Sequence, residues 1–212
     1  MLLDKLIKLQ EELKSRIKIE EFKSDVKIVA GCDASFPAGK TLGICVNLKF
    51  PGLSIVEISY TWVKTHFPYI PTFLSFRELP ALLQAYRNLK YKPDLILIDG
   101  QGIAHPRGLG IASHFGIVTG KPTIGVAKSR LFGSFSNQLS YEKGKYVYLF
   151  GDHHEIIGAV VRTRDRVKPV FVSPGNFITV SDSIKWVLKL SKGFRLPEPT
   201  RVADKISKSL MK

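Results

Sequence analysis

LILIDGQGIAHPRGLGIASHFGIVTGKPTIGVAKS, residues 95–129, is the stretch on which the fold turns. Four aliphatic residues run into Asp99-Gly100, and residues 123–126 repeat the pattern before Ala127-Lys128. A short apolar run bounded by turn residues reads as a strand buried on both faces. Between the two runs lie a glycine-punctuated segment and a helical pattern, so the unit reads strand, helix, strand. That arrangement makes the two strands parallel and delivers Asp99 and Lys128 to one edge of the sheet, the edge where open α/β sheets build their sites. Gly100, Gly102, Gly108 and Gly110 suit tight turns and close backbone approach. Pro106 suits the first position of a helix ending near Gly120, which places His105 just ahead of it. His105 then either orients a phosphate or water or bonds a carbonyl. His114, inside the helix, reads as packing. A GxGxxG nucleotide fingerprint is absent.

Upstream, three strand-like runs at 27–35, 41–50 and 53–65 are separated by turn signals at Pro37-Ala38-Gly39 and Pro51-Gly52, and they predict an antiparallel meander. Residues 2–19 space leucines at helical intervals and predict an amphipathic helix docked on the domain. Asp33 ends an apolar strand, where a carboxylate needs a partner, a turn to cap or a metal. Pro68, Tyr69, Ile70 and Pro71 form an extended tip stiffened by two prolines, either an apolar wedge for a duplex or a loop covering the sheet. Ser75 and Glu78 match a capping box, but Pro80 inside such a helix would lose a hydrogen bond. The helix is therefore expected over about 80–90, with Glu78 just ahead of it and free to face a site.

Downstream, residues 129–145 read as a long surface loop, and 146–150, 155–162 and 168–172 as further strands. Arg162, Arg164, Arg166 and Lys168 alternate along an expected hairpin, on one side, where they suit phosphates or solvent equally. Two helices close the chain at 180–190 and 200–210, the second with Thr200 as N-cap. The tail lysines Lys205, Lys208 and Lys212 contact nucleic acid or nothing. The expected architecture is an α/β fold with a mixed central sheet, an antiparallel meander followed by parallel strands, flanked by helices in one domain over 1–212.

The composition agrees with a soluble domain: 44% of residues are apolar and 24% charged. No run approaches the eighteen or so apolar residues that span a bilayer, and the charged N-terminus is no signal peptide. A cytoplasmic protein is expected. Cys32 and Cys45 lack companion ligands for zinc and read as buried free thiols. The formal charge is +14, and residues 121–212 carry 17 basic and 7 acidic residues against 15 and 11 in the remainder. Such an excess suits a polyanionic partner.

Asp33, Glu78 and Asp99 come from three separate elements, each at a position a fold can turn toward the others. Crowded carboxylates repel, and a hard divalent cation such as Mg2+, with Mn2+ as substitute, relieves that repulsion. Beside a phosphate such a metal acidifies water and stabilises an in-line displacement, while Lys128 offers a positive charge to the transition state. The residue pattern therefore points to metal-dependent phosphodiester hydrolysis.

CDAS at 32–35, PYIP at 68–71, SFRE at 75–78, DGQGIAHPRGLGIASH at 99–114, IGVAKS at 124–129 and LPEPTR at 196–201 together resemble the endonuclease V family of the ribonuclease H-like superfamily. The resemblance spans nearly the whole chain. It implies a metal site at Asp33, Glu78 and Asp99, supported catalytically by His105 and Lys128, and a wedge at Pro68, Tyr69, Ile70 and Pro71. It also implies a pocket for a flipped base around Leu74, Gly100, Gly110, Ile111 and Leu131. The implied activity is recognition of deoxyinosine in DNA and hydrolysis of the second phosphodiester bond on its 3′ side, leaving a 3′-hydroxyl and a 5′-phosphate. Inosine-containing RNA is the alternative substrate, and a junction resolvase or ribonuclease of the same superfamily the alternative enzyme. A monomer is expected. Thr72 and Asn176 depart from the family pattern, where glycine and histidine are usual.

Overall fold

The aliphatic run of the opening stretch forms strand β4 (Leu95–Asp99), which pairs in parallel with β1 (Ile28–Ser35) on one side and β5 (Thr123–Ala127) on the other. The computed structural model describes residues 2–37 and 39–211. Around that parallel trio, β2 (Lys40–Lys49) and β3 (Ser54–Lys64) extend the sheet beyond β1 as the antiparallel meander the sequence predicts. Beyond β5 lie β8 (Val170–Asn176), β7 (Ile156–Val161) and β6 (Tyr146–Phe150), all antiparallel. The result is one eight-stranded mixed sheet in the order β3-β2-β1-β4-β5-β8-β7-β6. Ala38, expected in the turn after β1, and the tail residue Lys212 lie outside the described residues.

Alternation along the central strands sorts their side chains onto two faces. Val29, Leu95, Leu97, Ile124 and Val126 point one way, into a cluster with residues of α4 (Val180–Lys189) and α5 (Glu198–Leu210). Ala30, Cys32, Ile96 and Ile98 point the other way, against α2 (Leu74–Asn88) and α3 (Ile111–Thr119). Both faces of the sheet's centre are thereby dry, which is why these strands carry unbroken apolar runs. Each fully buried Leu or Ile contributes on the order of 1.5–3 kcal/mol. At Gly31 a Cβ would lie 2.0 Å from the Pro199 carbonyl oxygen, so the first turn of α5 rests on the backbone of β1.

Several sequence expectations are corrected. Helix α2 begins at Leu74, six residues before the expected start, and contains Pro80; Glu78 is within its second turn and Ser75 caps nothing. The lost hydrogen bond at Pro80 is outweighed by burial of Leu79, Ala81, Leu82, Ala85 and Tyr86 on one side of the helix. Helix α3 starts at Ile111 with Gly110 as N-cap, and Pro106 lies in a turn closed by Gly108 N–H donating to His105 O. Helix α1 (Leu2–Lys14) ends earlier than expected, and of its intended apolar stripe only Leu13 is buried, beside Gln10; Leu2, Leu3 and Leu9 face solvent. Helix α5 is capped by Pro197, and Thr200 lies inside it, donating its hydroxyl to Pro197 O. Cys32 and Cys45, expected as free thiols, form a disulfide, because the β1–β2 register sets them opposite one another with Cα atoms 4.3 Å apart.

The alternating basic residues do not form one face either. Arg162 is buried, donating to Ser140 O and Val167 O and stacking on Tyr141, while residues 164–168 pass through an irregular connection to β8. A guanidinium that saturates backbone carbonyls is a strut, not a phosphate clamp.

Candidate active site

Parallel pairing of Cys32 with Ile98 makes Asp33 and Asp99 neighbours at the carboxyl ends of β1 and β4, and Lys128 follows directly on β5. Lys128 Nζ donates to Asp99 Oδ2 at 2.5 Å and to Asp204 Oδ1 at 3.0 Å. Asp204 arrives on α5 and also accepts from Lys208 Nζ at 2.7 Å. The backbone of Lys128 is itself held, since Arg195 Nη2 donates to its carbonyl at 2.5 Å while bonding Pro169 O. Glu78 reaches the same place from α2.

Burial and the nearby Asp99 push the Asp33 carboxyl up to about 7, with Asp204 adding to the effect and Lys128 opposing it. Glu78 is raised well above its ordinary value by burial, then by Asp33 and Asp99. Burial works to lower the Lys128 ammonium, but Asp99 and Asp204 reverse that and raise it, so it stays charged. Asp204 is lowered despite its own burial, because Lys208 and Lys128 bond its carboxylate. Four carboxyl groups, Asp33, Glu78, Asp99 and Asp204, thus share a partly dry site with the firmly charged Lys128.

The three expected metal-binding residues supply only carboxylate oxygens, the donor type a hard divalent cation prefers, and their mutual repulsion is what such a cation would relieve. Among the described residues no group of three or more His, Cys, Asp or Glu side chains is already placed to hold a metal ion. Asp99 is turned to Lys128 instead. The chemistry of the donor set, three carboxylates lining one cleft, is of the kind that suits Mg2+ or Mn2+.

These groups line one cleft of about 400 Å³. Leu74, Gly100, Gly110, Ile111 and Leu131, the expected base-pocket residues, line it together with Asp33, Glu78, Asp99, His105 and Lys128. Tyr69 and Pro71 form part of its rim, and Tyr69 is 67% exposed; Pro68 and Ile70 are outside the lining. The glycines make close approaches, but to the protein itself. A Cβ at Gly110 would sit 2.3 Å from Gln101 O, and one at Gly100, where φ is +148°, 2.5 Å from the Ile111 side chain. They let the floor of the cleft be built from backbone.

His105 is not the residue ahead of a helix that was expected. Its Nδ1 accepts from the Arg107 N–H at 3.1 Å, which leaves Nε2 as the protonated nitrogen, donating to Thr72 O at 2.9 Å. Burial lowers it to about 4, so it is neutral and both ring nitrogens are engaged. His114 meets the packing expectation, with Nδ1 at 3.2 Å from Ser75 Oγ and its ring edge-on to Phe76. Asn176 accepts the Lys18 N–H on Oδ1 at 2.8 Å, pinning the segment after α1 to β8.

Asp204 and Arg195 are the members of the site that sequence reasoning missed. Asp204 sits on the polar side of an amphipathic helix among lysines, where an aspartate reads as ordinary surface. The usable signal was LPEPTR at 196–201, which fixes where α5 starts and therefore which of its residues face β1.

A mixed sheet with carboxylates at the ends of adjacent parallel strands, a lysine after the third and helices on both faces is an architecture of the ribonuclease H-like fold class. The model of the Endonuclease V family matches residues 11–205. An Endonuclease V from Dictyoglomus turgidum is 48% identical over 208 residues, covering 98% of this chain and 90% of its own length. One from Trichormus variabilis is 50% identical over 207 residues, covering 96% and 93%. Among solved structures, the Streptomyces avermitilis Endonuclease V superposes with a TM-score of 0.92 at 33% identity, covering 98% of this chain and 92% of that one. A Ciona intestinalis Endonuclease V in complex with a 23-mer DNA containing an inosine followed by a ribo-adenosine gives 0.88 at 28% identity, covering 99% and 97%. The chain belongs to the Endonuclease V family.

Proposed function

We propose that this protein is a metal-dependent endonuclease of deaminated-base repair in the cytoplasm, acting as a monomer on DNA that contains deoxyinosine. It hydrolyses the second phosphodiester bond 3′ to the lesion and leaves a 3′-hydroxyl and a 5′-phosphate. The observation that carries this reading is the single cleft in which Asp33, Glu78, Asp99 and Lys128 line one part and Leu74, Gly110, Ile111 and Leu131 another, with Tyr69 at the rim. The inosine-containing DNA held by the Ciona intestinalis relative supports the substrate class.

Asp33, Glu78 and Asp99 would hold Mg2+ or Mn2+, which when bound supplies a more acidic water and charge neutralisation at the scissile phosphate. Lys128 keeps its positive charge at the site and, through Asp99 and Asp204, is fixed where charge builds on the phosphate oxygens. His105 acts by holding the rim in place, since its ring nitrogens bond Thr72 O and the Arg107 N–H. Tyr69 enters the space a flipped base leaves, and the backbone floor around Gly100 and Gly110 receives the base, whose unpairing costs less than that of a normal pair.

The test is cleavage of matched oligonucleotides with one inosine, with and without Mg2+, mapping the cut. Asp99→Ala should abolish cutting while binding persists, and full Mg2+-dependent cleavage by that variant would overturn the site. A second reading, an inosine-specific ribonuclease, is favoured by the ribo-adenosine that follows the inosine in the Ciona intestinalis complex. The same oligonucleotides made as RNA decide it, by whether RNA is cut faster than DNA. Equal cleavage of strands with and without inosine would point to a resolvase or general ribonuclease instead.

A further inference from the structure

Tyr69 stands three residues before a backbone position that the rest of the protein grips unusually firmly. Phe73 N–H donates to Ile70 O at 3.0 Å, closing a turn with Pro71 second and Thr72 third. Thr72 has φ of +68°, at the position where a type II turn favours glycine. A β-branched residue in the left-handed region is strained and persists only when its surroundings hold it there.

Three donors converge on the Thr72 carbonyl: Gln10 Nε2 at 3.0 Å, His105 Nε2 at 2.9 Å and Arg107 Nη2 at 2.9 Å. Arg107 Nη2 also donates to Thr72 Oγ1 at 2.6 Å, and Arg107 Nε donates to Gln10 Oε1 at 2.5 Å. The Arg107 guanidinium lies 4.5 Å over the ring of Phe73, the next residue. Gln10 is fully buried although it comes from α1, whose leucines at 2, 3 and 9 face solvent. Helix α1 therefore buries a polar side chain as well as Leu13, and that polar side chain is committed to this turn. Both sides of the node touch the cleft, because Thr72 and His105 line it.

We propose that Gln10 and Arg107 are positioning residues for duplex opening: through Thr72 they set the orientation of the Tyr69 tip relative to the base pocket. The inference rests on the reading of residues 68–71 as a wedge. Its distinguishing consequence is substrate-dependent. A duplex must be opened before the lesion enters the cleft, whereas an inosine in a single strand is already unpaired, so a loosened tip harms duplex cutting selectively. A node that merely anchors α1 would affect both substrates alike.

The experiment measures kcat/KM of the full chain with Mg2+ on one inosine oligonucleotide, as duplex and as single strand, with thermal melting alongside. Gln10→Ala and Arg107→Met, the latter keeping an apolar stem over Phe73, should lower duplex kcat/KM about tenfold, the scale of one lost buried hydrogen bond, and leave single-strand values within about twofold. Thr72→Gly folds without strain and keeps the carbonyl bonds, so it should shift the same ratio in the same direction by less. Tyr69→Ala is the control and should depress duplex cutting more than single-strand cutting. If Tyr69→Ala shifts the ratio while Gln10→Ala and Arg107→Met lower both substrates equally, the positioning role is overturned and the wedge survives. If Tyr69→Ala leaves the ratio unchanged, the wedge reading itself falls and the inference with it.

Discussion

Protons and metal should compete for Asp33 within the working pH range. Raising this carboxyl from 3.8 to about 7 corresponds to about 4 kcal/mol in favour of the protonated acid, supplied by burial and by Asp99. At pH 6 only about one tenth of the metal-free protein carries Asp33 as a carboxylate. A cation that requires the carboxylate must displace the proton, so its apparent affinity should fall about tenfold for each pH unit below 7, and more steeply where Glu78 also gives up a proton. The sign for stability is opposite to that of an ordinary paired aspartate. An acid raised in the folded state contributes stability while protonated and loses it as pH rises through about 7, so Mg2+ should raise the melting temperature most above pH 7. The assay is the half-saturating Mg2+ concentration for cleavage of an inosine oligonucleotide from pH 5.5 to 8.5, paired with calorimetric counting of protons released on Mg2+ binding. Asp204→Asn removes one of the charges that raise Asp33 and should move the break to lower pH. A half-saturating concentration that stays flat between pH 5.5 and 7, with no proton release, would refute the reasoning.

Two further predictions concern the fold around the cleft. Gly110→Ala places a Cβ 2.3 Å from Gln101 O and 2.5 Å from Gly102 O, both backbone atoms that cannot rotate away, so it should cost at least about 2 kcal/mol; an unchanged melting temperature would contradict the close approach. His105 and His114 are each held to about 4 by burial, against 6.5 when unfolded. The unfolded chain binds more protons between those values, so their contribution is intact above 6.5 and is lost as pH falls toward 4, by up to about 3 kcal/mol each. Urea midpoints at pH 7 and 5 measure it, and His114→Gln should flatten the acid limb; an unaltered slope in that variant would remove His114 from the account.

The fold was legible where a residue pattern has one physical solution. Two apolar runs separated by a helical segment can bury both strands only as a parallel pair, and the meander followed from turn residues at fixed intervals. Legibility failed where a local penalty met a tertiary gain. Pro80 argued for a late start to α2, yet the apolar side it shares with Leu79, Leu82 and Ala85 outweighs one missing hydrogen bond. Cys32 and Cys45 carried no sign of their registry, because pairing across β1 and β2 depends on which residue of each strand the turn between them makes partners.

The site divides along the same line. Asp33, Asp99 and Lys128 were readable because each ends an apolar strand, so its position along the chain already states which edge of the sheet it occupies. Asp204 occupies a helix surface, and nothing in the order of residues says that the surface in question meets Lys128; that depends on Pro199 resting against Gly31, a contact between positions 168 residues apart in the chain. Arg162 and His105 illustrate how loop packing decides between readings that the residue order leaves open. Both look functional by residue type, and both are engaged by backbone groups within the fold: Arg162 by Ser140 O and Val167 O, His105 by Thr72 O and the Arg107 N–H. A polar residue's role is decided by which partner reaches it first. For residues at strand ends that partner is set by topology, which the sequence encodes strongly; for residues in loops and on helix faces it is set by packing angles, which the sequence encodes only through the whole core.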